Sequence, residues 1–162
     1  MKKTLVIMIT VIIALFGVSI SAYAESALEV NADFVYIPAC YAERWAGDNQ
    51  FLYCTDTAEW TGDFVGVSNE KYVAVLHGSE GNFVFEKGFY KGTVIFTGDV
   101  AGSEGTLKML FVGKSRGDIN DWIGTWRIIS GEGGLANLHG QGTFYNNGPL
   151  DIHMDGKIRF AP

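Results

Sequence analysis

The chain is poor in charge, in proline and in cysteine. Only 19% of its 162 residues are charged, and 12 Lys and Arg stand against 18 Asp and Glu, which leaves a formal net charge of −6. Sequence-independent binding to nucleic-acid phosphates needs a surplus of basic side chains, so the composition argues against a nucleic-acid partner. Three prolines and 21 glycines without a Gly-X-Y period exclude collagen-like and proline-rich chains. A hydrophobic content of 48% excludes an intrinsically disordered chain.

The motifs of common catalytic and metal sites are also missing. The three histidines, His77, His139 and His153, lie in separate segments without His-x-His or His-Glu-x-x-His spacing. No Gly-x-Ser-x-Gly segment occurs, and the glycines of 131–133 are not followed by a predicted helix, which a dinucleotide-binding motif requires. The sequence therefore predicts no catalytic residue, no metal site and no cofactor.

The first 24 residues are typical of a secretory signal peptide. A basic start precedes an uncharged apolar run over residues 5–20, and the small residues Ala22 and Ala24 stand just before Glu25. We predict cleavage between Ala24 and Glu25, export to the periplasm or the outside of the cell, and no stable membrane insertion afterwards. The alternative is an uncleaved membrane anchor, because the apolar run approaches the length of about 20 residues that spans a bilayer.

The only two cysteines are Cys40 and Cys54. An even pair in an oxidising compartment indicates one disulfide. Closing a loop of about 15 residues stabilises a fold by about 3 kcal/mol in the chain-entropy model. The two thiols lack the Cys-x-x-Cys spacing of redox enzymes and a neighbouring histidine for a zinc site. We therefore predict a structural bridge.

Residues 25–162 predict one all-β domain. Short runs of β-branched and aromatic residues alternate with clusters of Gly, Asn, Asp and Ser, and no helical period is present. Eight or nine strands with short connections favour antiparallel neighbours, and closure into a barrel removes the sheet edges. We predict an antiparallel β-barrel of about eight strands. Asp63–Val67 and Tyr72–His77 are expected as separate strands, residues 38–50 as a loop, and residues 150–160 as one strand with a bulge at Gly156.

The segment Gly124–Phe144, with glycines at 131, 133, 134, 140 and 142, resembles the signature of a bacterial domain-of-unknown-function family with an allene-oxide-cyclase-like, dirigent-like barrel. Gly78–Phe85 resembles an earlier hairpin of that family, so the resemblance extends over residues 70–160. It implies a calycin-like barrel of eight strands with a hydrophobic cavity, and it carries over no catalytic residue. From the residues themselves, Leu135 and Leu138 are expected to close one end of the barrel. The part of the chain with Cys40 and Cys54 departs from the family pattern.

The alternation of apolar and polar residues predicts which side chains face the barrel interior. Lys108 and Arg127 fall on the outward parity, and the acids Asp56 and Glu59 are expected on solvated positions, so no convergent polar set is predicted inside. The expected core is Leu107, Met109, Phe111, Trp126, Ile128, Phe144, Ile152, Met154, Ile158 and Phe160. Seven residues are candidates for binding a ligand: Tyr72, His77, Phe83, Phe85, Met109, Trp126 and Tyr145.

Two functions follow as hypotheses. The first is an exported, non-catalytic barrel that binds a small apolar ligand or a partner protein, because aromatic residues are plentiful and catalytic motifs are missing. The alternative is an enzyme of the cyclase or dirigent type that steers a reactive intermediate by pocket shape and exclusion of water. The alternative rests on the resemblance alone. The sequence carries no signal of oligomeric state, and an envelope-assembly role is a third possibility.

Overall fold

The computed structural model of the chain describes residues 26–78, 87–115 and 121–162. The predicted signal segment and its cleavage site at Ala24 and Glu25 lie outside these residues. No helix in the described ranges is long and apolar enough to cross a membrane. The described residues form nine strands: β1 (Leu28–Ile37), β2 (Cys40–Ala46), β3 (Asn49–Gly62), β4 (Phe64–His77), β5 (Lys87–Val100), β6 (Ser103–Ser115), β7 (Trp122–Gly133), β8 (Leu138–Asn146) and β9 (Asp151–Phe160).

Eight of these strands close into an antiparallel barrel, which confirms the predicted fold class. The strand order is β1-β9-β8-β7-β6-β5-β4-β3-β2, and an additional pairing of β1 with β3 completes the ring. The second half of β3, residues 57–62, pairs with β1, whereas its first half, residues 49–54, pairs with β2. The second strand therefore continues the sheet past the end of β1, along the first half of β3.

Buried and exposed side chains alternate along the strands, and the buried ones form the core inside the barrel. In β9, Ile152, Met154 and Ile158 are buried, and the pairing of β9 with β8 and with β1 runs in register through Gly156. The prediction of one strand is confirmed, but the expected bulge at Gly156 is wrong. All ten residues of the predicted core are buried or pack against the buried cluster.

The glycine-rich corner between β7 and β8 closes one end of the barrel as predicted. Gly133 has a φ of +68°, a conformation that side chains with a Cβ rarely adopt. Leu135 and Leu138 follow it and are 0% and 2% exposed. In β8, a Cβ added to Gly142 would lie 2.7 Å from Trp126 Nε1, so only glycine leaves room for that indole.

Two predicted features of the first half of the chain are wrong. Residues 38–50 are not a loop, because Cys40–Ala46 pairs with the part of β3 that β1 leaves unpaired. The predicted strands Asp63–Val67 and Tyr72–His77 are one strand, Phe64–His77. The polar residues between the two apolar runs do not interrupt the strand, because they keep its alternation: Ser68 and Glu70 face the interior, whereas Asn69 and Lys71 are exposed. Most of Gly78–Phe85, the segment that resembles an earlier hairpin, lies outside the described residues.

Candidate functional site

The barrel contains a cavity of about 310 Å³ at the end opposite the glycine-rich corner. The inner part of the cavity is lined by buried apolar side chains, including Phe34, Val94, Phe111 and Ile152. Exposed residues line its mouth: Pro38, Cys40, Pro149 and Leu150. The cavity therefore connects the apolar interior with solvent beside the junction of β1 and β2.

The mouth of the cavity is held by the Cys40–Cys54 disulfide, which confirms the predicted bridge. The two residues are direct partners in the pairing of β2 with β3, and their Cα atoms are 4.1 Å apart. Both cysteines line the cavity. The bridge thus anchors β2 immediately after the chain leaves β1.

Two carboxyl groups lie side by side in the wall of the cavity. Asp56 in β3 and Glu70 in β4 are direct cross-strand partners, and both face inward. Asp56 is only 2% exposed. Its Oδ1 accepts a hydrogen bond from the backbone N–H of Ala39 at 2.9 Å, and its Oδ2 accepts one from the Tyr72 hydroxyl at 2.7 Å. The expectation that Asp56 is solvated and that no polar set converges inside the barrel is therefore wrong.

Glu70 is held more loosely than Asp56. The Ser68 hydroxyl is 3.3 Å from Glu70 Oε1 and itself accepts a 2.9 Å hydrogen bond from Trp60 Nε1. Within the described part of the chain, Glu70 Oε2 receives no hydrogen bond. Burial, together with the negative charge of Asp56, raises the pKa of Glu70 from 4.5 to about 7. Glu70 can therefore gain or lose a proton near neutral pH.

Three tyrosines surround this carboxyl pair. Burial raises the pKa of Tyr36, Tyr72 and Tyr90, and the nearby carboxylates raise it further. All three hydroxyls therefore remain protonated and can donate hydrogen bonds at physiological pH. The ring centroids of Tyr72 and Tyr90 are 5.6 Å apart, and that of Tyr90 is 5.1 Å from Trp122.

The seven candidate ligand residues from the sequence have different outcomes. Tyr72 lines the cavity. Met109 and Trp126 are fully buried in the core beside it and do not line it. His77 and Tyr145 are exposed and lie outside the cavity, because both occupy outward positions of their strands. Phe83 and Phe85 lie outside the described residues.

Four residues that line the cavity are not among the candidates from the sequence: Asp56, Glu70, Tyr36 and Tyr90. A usable signal was present in β4, where Phe64, Ser68, Glu70, Tyr72, Ala74 and Leu76 share the even parity. Once residues 64–77 are taken as one strand, its polar residues must share the buried face with its apolar ones. A buried acid needs partners, so those positions were the best candidates for a site.

A second polar cluster lies on the outer face of the barrel. His153 Nδ1 is 2.6 Å from Asp33 Oδ1, and its Nε2 is 3.2 Å from Asp155 Oδ1. The hydrogen bond to Asp33 is the main cause of a raised pKa of His153. The imidazole lies on the outward parity of β9, opposite to Ile152 and Met154. In the described ranges, no three Asp, Glu, His or Cys residues are grouped closely enough to hold a metal ion.

Comparison with known proteins places the barrel among proteins without an assigned activity. A family model described as "Protein of unknown function (DUF3224)" matches residues 41–155. A crystal structure of a DUF3224 protein of unknown function from Shewanella oneidensis MR-1 is similar, with a TM-score of 0.68 and 13% sequence identity. The similarity covers 85% of this chain and 99% of that one. No curated protein matches. At this identity the likeness concerns the fold alone.

Proposed function

Because the chain belongs to the DUF3224 family, whose description assigns no activity, we propose its function from the cavity: it is an exported barrel that binds a small, mostly apolar ligand. The family match agrees with the resemblance seen in the sequence, and the barrel is closed as that resemblance implied.

The cavity is the observation that carries this proposal. Its volume of about 310 Å³ lies at the lower end of the range for small-molecule sites, about 300–1,000 Å³. The walls are predominantly apolar, the two carboxyl groups lie on β3 and β4, and the tyrosine hydroxyls come from β1, β4 and β5. This combination favours a ligand whose apolar body fills the barrel and whose polar group meets Asp56, Glu70 or the tyrosines.

Export is the second part of the proposal. The signal-peptide pattern of residues 1–24 and the disulfide both favour an oxidising compartment outside the cytoplasm. Mass spectrometry of protein recovered from the exported fraction should find Glu25 as the first residue. Recovery of the intact Met1 form, in membrane fractions alone, would overturn this part.

Ligand binding can be tested with the neutral, polarity-sensitive dye prodan and a variant that fills the cavity. Ala74 is buried and lines the cavity, so Ala74→Phe should abolish the fluorescence increase of the dye. Val67→Phe on the same strand is the matched control, because Val67 is 55% exposed on the outer face. Melting curves establish that both variants fold. Equal dye binding by the wild type and Ala74→Phe, or no binding by the wild type, would contradict the proposal.

The protonation of Glu70 favours a second candidate, an enzyme of the cyclase or dirigent type. A carboxyl group with a pKa of about 7 in an apolar cavity suits general acid–base catalysis. Incubation with small-molecule extracts should then yield converted product with the wild type, whereas Glu70→Gln should bind the same compound and return it unchanged. If the wild type also returns its ligand unchanged, the binding function stands and the enzyme is excluded.

A further inference from the structure

We propose that the cavity selects small organic cations, protonated amines with an alkyl or aryl body, and places the ammonium group between the Glu70 carboxylate and the tyrosine rings. This inference rests on the proposed binding function and specifies the class of ligand.

The charge of the cavity is the first argument. Among the described residues that line it, Asp56 and Glu70 are acidic, and none is Lys, Arg or His. Two carboxyl groups directly opposite each other on neighbouring strands repel one another when both are ionised. Because no basic side chain among the described lining residues balances these two charges, a cationic ligand would relieve the repulsion.

The hydrogen bonds show which carboxyl group is available. Both oxygens of Asp56 already accept hydrogen bonds, from the Ala39 N–H and from the Tyr72 hydroxyl. Glu70 has only the long contact of its Oε1 with Ser68, and its Oε2 has no donor among the described residues. Since an ammonium group carries up to three N–H donors, it can supply the bond that Glu70 Oε2 lacks.

The rings around Glu70 are the second, independent argument. Tyr36, Tyr72 and Tyr90 line the cavity from three different strands, and Trp122 extends the aromatic wall. The hydrogen bond from Tyr72 to Asp56 fixes the orientation of that ring. Aromatic faces attract a cation within about 6 Å of the ring centroid, and the attraction increases when water is excluded. Aromatic walls next to a carboxylate form a general binding site for ammonium groups.

The same groups disfavour an anionic ligand. The carboxylate of a fatty acid would meet Asp56 and Glu70 without any basic partner among the described lining residues. A neutral alcohol of the same length can enter and donate one hydrogen bond, but it gains no charge attraction. The expected order of affinity is therefore amine, then alcohol, then carboxylate.

The affinity for amines should also depend on pH. The titratable groups that face Glu70 are Asp56 from β3, Tyr36 from β1, Tyr72 from β4 and Tyr90 from β5. Among them Glu70 changes charge near neutrality, with a pKa of about 7. Because the amine binds the ionised carboxylate, its affinity should rise as pH increases through 7, while the amine itself stays protonated to about pH 10.

The test is the displacement of prodan by octylammonium, 1-octanol and octanoate, which share one apolar chain and differ in the head group. At pH 8, octylammonium should displace the dye at roughly tenfold lower concentration than 1-octanol, as a charge-assisted hydrogen bond implies, and octanoate should be the weakest. At pH 5.5 the advantage over 1-octanol should shrink. Glu70→Gln should lose it at both pH values, and the outer-face control Glu59→Gln should keep it.

The outcomes separate this inference from the function on which it rests. If 1-octanol displaces the dye but octylammonium is no better, or if Glu70→Gln retains the preference, the amine inference is wrong and apolar binding stands. If neither prodan nor any of the three compounds binds, both proposals are wrong.

Discussion

Replacing Glu70 with Gln should make the protein more stable at neutral and alkaline pH. Glu70 lies deep in the barrel beside Asp56, and both burial and that negative charge raise its pKa to about 7 from 4.5. The folded protein therefore holds a proton that the unfolded chain has already released between these two pH values. By proton linkage, stability falls as pH rises from about 4.5 and levels off above about 7. Glutamine keeps the acceptor for Ser68 but carries no ionisable proton.

The size of this effect follows from the two pKa values. The interval from 4.5 to about 7, at roughly 1.4 kcal/mol per pH unit, amounts to about 3 kcal/mol at pH 8. At pH 5 the cost of ionising Glu70 is below about 1 kcal/mol, because the unfolded chain is then only partly ionised. Glu70→Gln should thus exceed the wild type by about 3 kcal/mol at pH 8 and by much less at pH 5.

Urea denaturation at several pH values between 5 and 8 measures this difference. Glu59→Gln on the outer face of β3 is the matched control, because it removes the same charge from an exposed position and should run parallel to the wild type. Parallel curves for Glu70→Gln and the wild type, or a variant that is less stable at pH 8, would refute the reasoning. The first result would mean that Glu70 has an ordinary pKa in the folded protein.

Three further predictions concern the bridge, the glycine-rich corner and the outer polar cluster. Cys40→Ser should lower the free energy of unfolding by about 3 kcal/mol, and reductant should lower the melting temperature of the wild type equally but leave the variant unchanged. Gly142→Ala should destabilise the barrel by several kcal/mol or prevent folding, because the added methyl group would clash with backbone and indole atoms. Gly148→Ala is the control and should be tolerated, because the nearest atom to its Cβ would be 3.6 Å away. Soluble yield and urea denaturation compare the two variants. Asp33 raises the pKa of His153, so Asp33→Asn should lower that pKa in an NMR titration. The same variant should lower the free energy of unfolding by at most about 1 kcal/mol below pH 6.5, and this difference should disappear as pH rises and His153 loses its proton.

The fold class could be predicted because the relevant signals are local. Side chains in a strand alternate between two faces, so the even parity of Ile152, Met154 and Ile158 identifies the buried face of β9 without knowledge of its partners. The corner at residues 131–138 could be predicted in the same way, because the glycines that permit a positive φ and the two leucines that become buried lie close together in the chain.

The candidate site was predicted less well, because hydrophobicity was used to choose the interior positions. That rule finds the core residues but excludes Asp56 and Glu70, which lie inside because their strands are in register with apolar neighbours. His77 and Tyr145 were proposed as polar ligand residues on other grounds, although their odd parity places them on outward positions. Strand parity, applied without regard to polarity, would have assigned all four correctly.

The strand pairings that close the barrel have no local signal. The pairing of β1 with the second half of β3 leaves the first half for β2, and this division turns residues 40–46 into a strand. The same division brings Pro38 and Cys40 to the mouth of the cavity, which Pro149 and Leu150 also line. Strand alternation specifies the face of each residue, whereas the partners across the barrel depend on contacts between distant segments, and those contacts create both the cavity and its buried carboxyl pair.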